Sequence, residues 1–253
     1  MKVVAITSSP RKKVRMRKPA VFVPVIVMAA AFLFIGCTTN GRTSMSTSGT
    51  ASLIQIGTVI PFGSYNWRIL DVQGSKALII TENITEMLPY NVNLTDVTWE
   101  TCTLRKYLNS AFYNSFSAED KERIAETKIN NPDNLWYGTS GGNDTTDKIF
   151  LLSLEEIDKY FGDSGDYLNK RRKTPVQDDD RFIFRDDENG IAFSNNSNRI
   201  AQFNNQASFW LLRSPGGASS RNALVTPIGS VGVNGYDVVY VGGVRPALWL
   251  KLQ

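Results

Sequence analysis

Histidine is absent from all 253 residues. Its absence removes every Ser–His and Cys–His nucleophilic pair, and every His-ligated metal centre, from what this chain can build alone. Cysteine is nearly as scarce, with Cys37 and Cys102 the only two. There is no CxxC pair and no HExxH, and the single S-x-x-K match, Ser9 to Lys12, lies close to the N-terminus. Acidic residues are missing from the first 36 positions, which hold seven of the 28 Lys and Arg. The remaining 217 residues therefore carry 21 basic against 24 acidic groups, about −3, so the pI near 9.0 belongs to the N-terminal segment. It is no argument for nucleic acid, and no nucleic-acid partner is expected.

The seven cations (Lys2, Arg11, Lys12, Lys13, Arg15, Arg17, Lys18) precede an uncharged stretch, Pro19 to Gly36, rich in Val, Ile, Ala and Phe. A basic region, an apolar region and a small residue before a boundary make an export signal. Because the boundary residue is Cys37, after Phe34-Ile35-Gly36, the segment resembles the lipobox of bacterial lipoproteins, with Phe34 where Leu is usual. The resemblance implies a diacylglycerol on the Cys37 thiol, cleavage before it, and a protein held at the outer membrane or cell surface. The alternative is an uncleaved anchor, since about 18 apolar residues just span a bilayer. Residues 1–36 are thus read as signal peptide and 37–52, almost all small and polar, as a flexible tether. Residues 53–253 are read as one globular domain that holds together without an internal disulfide.

Strand-like runs at Leu53–Pro61, Tyr65–Val72 and Lys76–Glu82, parted by Gly63-Ser64 and Gly74-Ser75, predict a β-meander. Leu104, Tyr107, Leu108, Ala111 and Phe112 share one face of a helix expected near Thr101–Tyr113. Ser117 and Asp120, then Ser153 and Glu156, have capping-box spacing, the second pair following a short strand at Lys148–Leu152. Residues Gly162–Asn205 read as long polar loops with short strands at Arg181–Phe184 and Ile191–Phe193. From Phe209 the pattern is wholly β, with strands expected at Phe209–Arg213, Ala223–Thr226, Val231–Val233, Val238–Val241 and Ala247–Leu250. The fold class is α+β, a mostly antiparallel sheet with a few short helices.

Three stretches stand out: Gly141 to Ser153 (GGNDTTDKIFLLS), Trp210 to Gly216 (WLLRSPG) and Gly243 to Leu250 (GVRPALWL). With Trp67-Arg68-Ile69-Leu70, Trp99-Glu100 and Leu104-Arg105, they resemble the bacterial family of domain of unknown function 6273. The order of the last two is also similar to the C-terminal half of C-type-lectin-like folds, closest to the formylglycine-generating-enzyme subtype. That likeness implies ligand-binding residues on the short strands and loops between the two motifs, a stretch diversified by retroelements in some bacteria and phages. It does not imply the oxidation itself, which needs two cysteines holding copper where this domain has Cys102 alone.

Trp210 and Trp249 are expected in the core, and Arg213 and Arg245 as buried guanidiniums fixing strand register. Between the motifs lie Ala218, Ser219, Ser220, Arg221 and Asn222, then Asn234, Tyr236, Asp237 and Tyr240. These are the side chains of an adaptable face for a protein or glycan ligand, or ordinary hairpin-turn residues. Asp178-Asp179-Asp180 and Asp186-Asp187-Glu188 lack the spacing of an EF-hand calcium loop, so they read as solvated acidic loops and no cofactor is expected. Cys102, at a helix start, reads as a core thiol, and Trp67, Trp99 and Trp136 as core aromatics rather than a sugar platform. A binding module is the leading expectation. A two-carboxylate hydrolase, which needs no histidine, and a structural envelope protein are the alternatives.

Overall fold

Five strands gather the two ends of the domain into one sheet. In the computed structural model, which describes residues 54–161 and 196–252, they are Val59–Phe62 (β1), Tyr65–Gln73 (β2), Lys76–Thr81 (β3), Ile124–Ala125 and Ala247–Lys251, in spatial order β1-β2-β3, then 247–251, then 124–125. The expected meander forms, with Gly63 (φ 55°) and Gly74 (φ 56°) in the left-handed region that tight two-residue turns require. Ala77 to Thr81 are buried without alternation, so the central strand is covered on both faces. The leader, the tether, the acidic and basic runs between 170 and 190, and the strands expected at 181–184 and 191–193 lie outside the described residues.

A second five-stranded sheet comprises, in spatial order, Val231–Asp237, Arg221–Val225, Trp210–Pro215, Val241–Val244 and Glu86–Pro89. In chain order Glu86–Pro89 is β4, Ile124–Ala125 β5, and the two-stranded pairing Thr127–Ile129 with Thr145–Asp147 is β6 and β7. The hairpin Ala201–Phe203 and Gln206–Ser208 is β8 and β9, followed by Trp210–Pro215 (β10), Arg221–Val225 (β11), Val231–Asp237 (β12), Val241–Val244 (β13) and Ala247–Lys251 (β14). All pairings are antiparallel except β10 with β13. The described protein is a β-rich α+β fold.

Among the described residues, four short α-helices, Thr103–Tyr107 (α1), Ala118–Arg123 (α2), Leu154–Phe161 (α3) and Asn196–Arg199 (α4), accompany the strands. The single helix expected to Tyr113 is instead α1 continued by a wider π-turn over Leu108–Phe112. Asn109 accounts for the widening. Its amide donates to the carbonyls of Arg105 (3.2 Å) and Ile149 (2.8 Å), taking an acceptor from the helical ladder. The phase shift keeps Leu104, Leu108 and Phe112 buried but turns Ala111 into solvent. One capping box forms in full: Ser153 and Glu156 exchange bonds of 3.2 and 2.9 Å. At the other, Ser117 Oγ accepts from Asp120 N (3.0 Å) but gives its own proton to the Asp120 carboxylate (2.9 Å), so Ser117 caps α2 without the return bond.

Other expectations needed tertiary information. Lys148–Leu152 is buried at four of its five positions, yet only Phe150 makes a bridge, to Ala247. Two of its other carbonyls serve side chains, Ile149 O accepting from Asn109 and Leu151 O from Arg213, and Leu152 O takes the Arg213 backbone N–H. The strand expected at Val238–Val241 is a turn closed by Tyr240 N to Asp237 O (2.9 Å), after which β13 begins. Residues up to Asn205, expected as loop, include the β8–β9 hairpin, whose turn residues Asn204 (φ 51°) and Asn205 (φ 63°) both take the left-handed conformation.

Trp67, Trp99 and Trp210 are fully buried, and Trp136 nearly so, whereas Trp249 is only half-buried at the rim of the first sheet. Trp210 also donates its indole N–H to Arg199 O (2.9 Å). Trp210→Ala is expected to cost about 3–5 kcal/mol. Trp249→Ala is expected to cost about 1–2 kcal/mol, because part of its ring is wet in either state. Urea unfolding of both variants checks the order; equal losses would contradict it.

Candidate functional site

The two motif arginines come first, because they hold the frame on which the candidate face is built. Arg213 leaves β10 and is 4% exposed. It donates to Leu151 O (2.7 Å), Asn130 O (2.9 Å) and Asn131 Oδ1 (3.2 Å) and pairs with Glu156. Arg245, between β13 and β14, donates to Thr81 O (2.8 Å) and Glu82 O (3.1 Å) and lies over the Trp210 ring at 4.9 Å. Neither belongs to the loop face.

That face is the end of the β11–β12 hairpin. Arg221 opposes Asp237 and Asn222 opposes Tyr236, so the two groups of residues do meet. Arg221 Nε donates to Asp237 Oδ1 (3.1 Å), a pair about one-third exposed on each side and worth little in stability. Tyr236 stands edge-on to Phe209 (5.6 Å) and to Tyr240 (5.9 Å). Arg221, Gly235, Tyr236, Asp237 and Tyr240 line a small depression of about 80 Å³. Only glycine fits at 235, where φ is 68° and a Cβ would strike the Asn222 carbonyl.

Two of the expected contact residues are corrected. Asn222 (1% exposed) and Asn234 (3%) are buried. Asn222 turns its amide onto Ala223 O (3.0 Å), while the Asn234 side chain accepts from Arg221 (3.1 Å) and its carbonyl from Gly217 N (2.9 Å). Both serve the hairpin from within. Ser219 and Ser220 are half-buried, their carbonyls accepting from Val97 N (3.0 Å) and Val238 N (2.9 Å). Ala218 and Tyr240 are exposed.

Sequence reasoning missed the neighbouring loop. Asn91 N bonds Val238 O (2.8 Å) and Val97 N bonds Ser219 O, so the 91–97 loop is fastened to this end of the hairpin at both its ends. It carries Val92 (61% exposed) and Leu94 (59%), and the segment after β12 carries Tyr240 (57%) and Val241 (54%). The available signal was Val92 and Leu94 as apolar residues within an Asn- and Thr-rich loop. Asn134, also missed, is fully buried and donates to the carbonyls of Pro215, Gly216 and Val233. It locks the loop after β10 to β12.

The remaining chemistry is quiet. Gly138-Thr139-Ser140-Gly141-Gly142 fits the G-x-S-x-G pattern, but no strand or helix flanks it to make a nucleophile elbow. Among the described residues no group of three His, Cys, Asp or Glu could hold a metal ion, and no helix is long and apolar enough to cross a membrane. Cys102 caps α1, its sulfur accepting from Arg105 N (3.3 Å), and burial pushes its thiol up to about 12. A protonated buried thiol is a poor nucleophile. Iodoacetamide at pH 8 is therefore expected to leave Cys102 unmodified in the native full-length chain and to label it in urea, read by peptide mass spectrometry. Native labelling would contradict this.

No curated protein and no solved structure matches the chain. Residues 74–252 match the family described as Domain of unknown function (DUF6273), a span that takes in β3 to β14 and all three motifs. Trp210, Arg213 and Arg245 of those motifs belong to the buried scaffold described above, as do Asp147, 1% exposed, and Gly141, whose Cβ would strike the Asn131 carbonyl. By that match the chain belongs to the family of domain of unknown function 6273.

Proposed function

We propose that the protein is a membrane-tethered, envelope-exposed binding lipoprotein, anchored through Cys37, that takes a protein ligand on the face formed by the β11–β12 hairpin and the 91–97 loop. The observation that carries the reading is the exposure of Val92 and Leu94 on the loop bonded to the hairpin end, and of Tyr240, in ring contact with Tyr236, and Val241 after it, near the Arg221–Asp237 pair in sequence. Apolar side chains ringed by polar ones, with Tyr and Arg among them, have the anatomy of a protein-binding patch. Val and Leu offer nothing to sugar hydroxyls, which favours a protein over a glycan. A C-type-lectin-like architecture of the formylglycine-generating-enzyme subtype is part of the proposal. It is supported by the motif order, with β10 and β13–β14 carrying the two motifs and β11–β12 between them. A two-acid hydrolase needs both carboxylates over one cleft. Four cavities bounded by described residues hold at most one each.

Leu94→Ser combined with Tyr240→Ser should leave the melting temperature nearly unchanged, since exposed substitutions usually stay within about 0.5 kcal/mol. Probed on arrays of purified extracellular proteins and of glycans, the parent is expected to bind protein targets that the variant loses. Equal binding by both, or binding to glycans alone, would overturn the reading.

The anchor is tested separately. Cys37→Ala should abolish incorporation of a labelled fatty acid and signal cleavage. Label retained in the variant would sink the lipoprotein reading, and an unlabelled parent that still sediments with membranes would favour the uncleaved span.

A further inference from the structure

The Arg245 guanidinium uses two of its three nitrogens. Nε and Nη2 form a fork onto the successive carbonyls of Thr81 and Glu82, and Nη1 has no acceptor although it is buried. The Trp210 and Phe161 rings, at 4.9 and 5.6 Å from its carbon, supply π-faces but no carboxylate. Burial lowers its pKa to about 10, the sign of a cation short of counter-charge.

Arg245 forms part of the wall of a cavity of about 430 Å³, roomy enough for a small organic molecule rather than a bare ion. Across it, Arg68 donates Nε to Glu82 (2.8 Å) and forms a second, shorter contact with the same carboxylate, while its Nη1 reaches Gly57 O (3.1 Å). Ser197 and Asn198 of α4 and Tyr160 of α3 add polar groups to the wall, and Ile69, Leu70 and Ile200 give it an apolar side. Among the described residues the charges lining the cavity are two guanidiniums and one carboxylate, a surplus of one positive charge. That surplus matches a single negative charge, and the mixed wall matches a ligand with a carbon body.

We infer that this cavity binds a small organic monocarboxylate, its carboxylate held between the Arg245 and Arg68 guanidiniums and its apolar part against Ile69, Leu70 and Ile200. The site shares no residue with the proposed protein-binding face. The fork of each arginine is already engaged, so the attraction comes from the surplus positive charge and from the one Arg245 nitrogen, Nη1, that has no acceptor.

The test uses the full-length protein in detergent at fixed ionic strength, with thermal melts and calorimetric titration. The probes are sodium isobutyrate, sodium acetate, sodium phosphate, sodium chloride and neutral isobutyramide. The parent is expected to be stabilised by isobutyrate with saturation, and not by chloride or isobutyramide. Arg68→Gln removes a charge at the partly exposed side of the site and should weaken isobutyrate binding about ten-fold or more, the worth of a charge-assisted hydrogen bond. Arg245→Lys keeps charge but loses the fork and should weaken it too. Ile200→Ser, exposed in the free protein, should weaken isobutyrate but not acetate. Stabilisation by phosphate instead of isobutyrate, equal effects of chloride, no saturable effect in the parent, or unchanged affinity in a folded Arg68→Gln would each overturn the inference.

Discussion

Arg213 is a cation without access to water, and much of the structure can be understood as the means of satisfying it. Its guanidinium is fed by two backbone carbonyls, one amide oxygen and one carboxylate, from segments far apart in sequence. Removing one partner of such a buried pair leaves a charge uncompensated, a loss of about 3–5 kcal/mol. Satisfying it therefore constrains where residues 130–131, 151 and 156 can lie relative to β10. The same residue binds through its backbone, Tyr90 donating to its carbonyl (2.9 Å) and its own N–H reaching Leu152 O (3.0 Å). Glu156 is shared, accepting from Ser153 N as the helix cap and from Arg213 as the counter-ion. The start of α3 and the centre of the second sheet are thereby coupled.

The coupling extends further. Asn131, which accepts from Arg213, donates to Thr145 Oγ1 (3.4 Å), which donates to Asp147 (2.8 Å). Asp147 is fully buried and also accepts from Trp99 (2.8 Å) and Arg105 (2.6 Å). A chain of hydrogen bonds thus runs from α1 through β7 to α3. Buried polar networks are stable only when every member is satisfied, so they specify one arrangement where an apolar core would tolerate several. With no internal disulfide to staple long connections, this network and the buried tryptophans do the cross-linking.

A fastened scaffold lets the far end of the β11–β12 hairpin be built from residues of little structural consequence. Asn134 and Asn234 hold the hairpin from inside, and the 91–97 loop is pinned at Asn91 and Val97, leaving Val92, Leu94 and Tyr240 free of packing duties. A surface so arranged can change its side chains without disturbing the core beneath. That separation is what the proposed binding role would require.

Local chemistry alone determined the parts of this protein that depend on neighbours in sequence. The Gly63 and Gly74 turns, the Ser117 cap, the Ser153–Glu156 capping box, the burial of Trp210 and the β-rich C-terminal half follow from turn residues, cap spacing and apolar pattern. The family was legible too, because its motifs are contiguous. Tertiary structure decided the rest, because it depends on partners tens of residues away. Asn109 widens a helix by answering Ile149, and 148–152 declines to be a regular strand because Asn109 and Arg213 take its carbonyls. Asn222 and Asn234, polar and therefore expected outside, are buried because Arg221, Gly217 and the backbone of the hairpin satisfy them there. Whether a polar residue faces water or the core is set by whether the fold brings it a partner, and no window of sequence contains that partner.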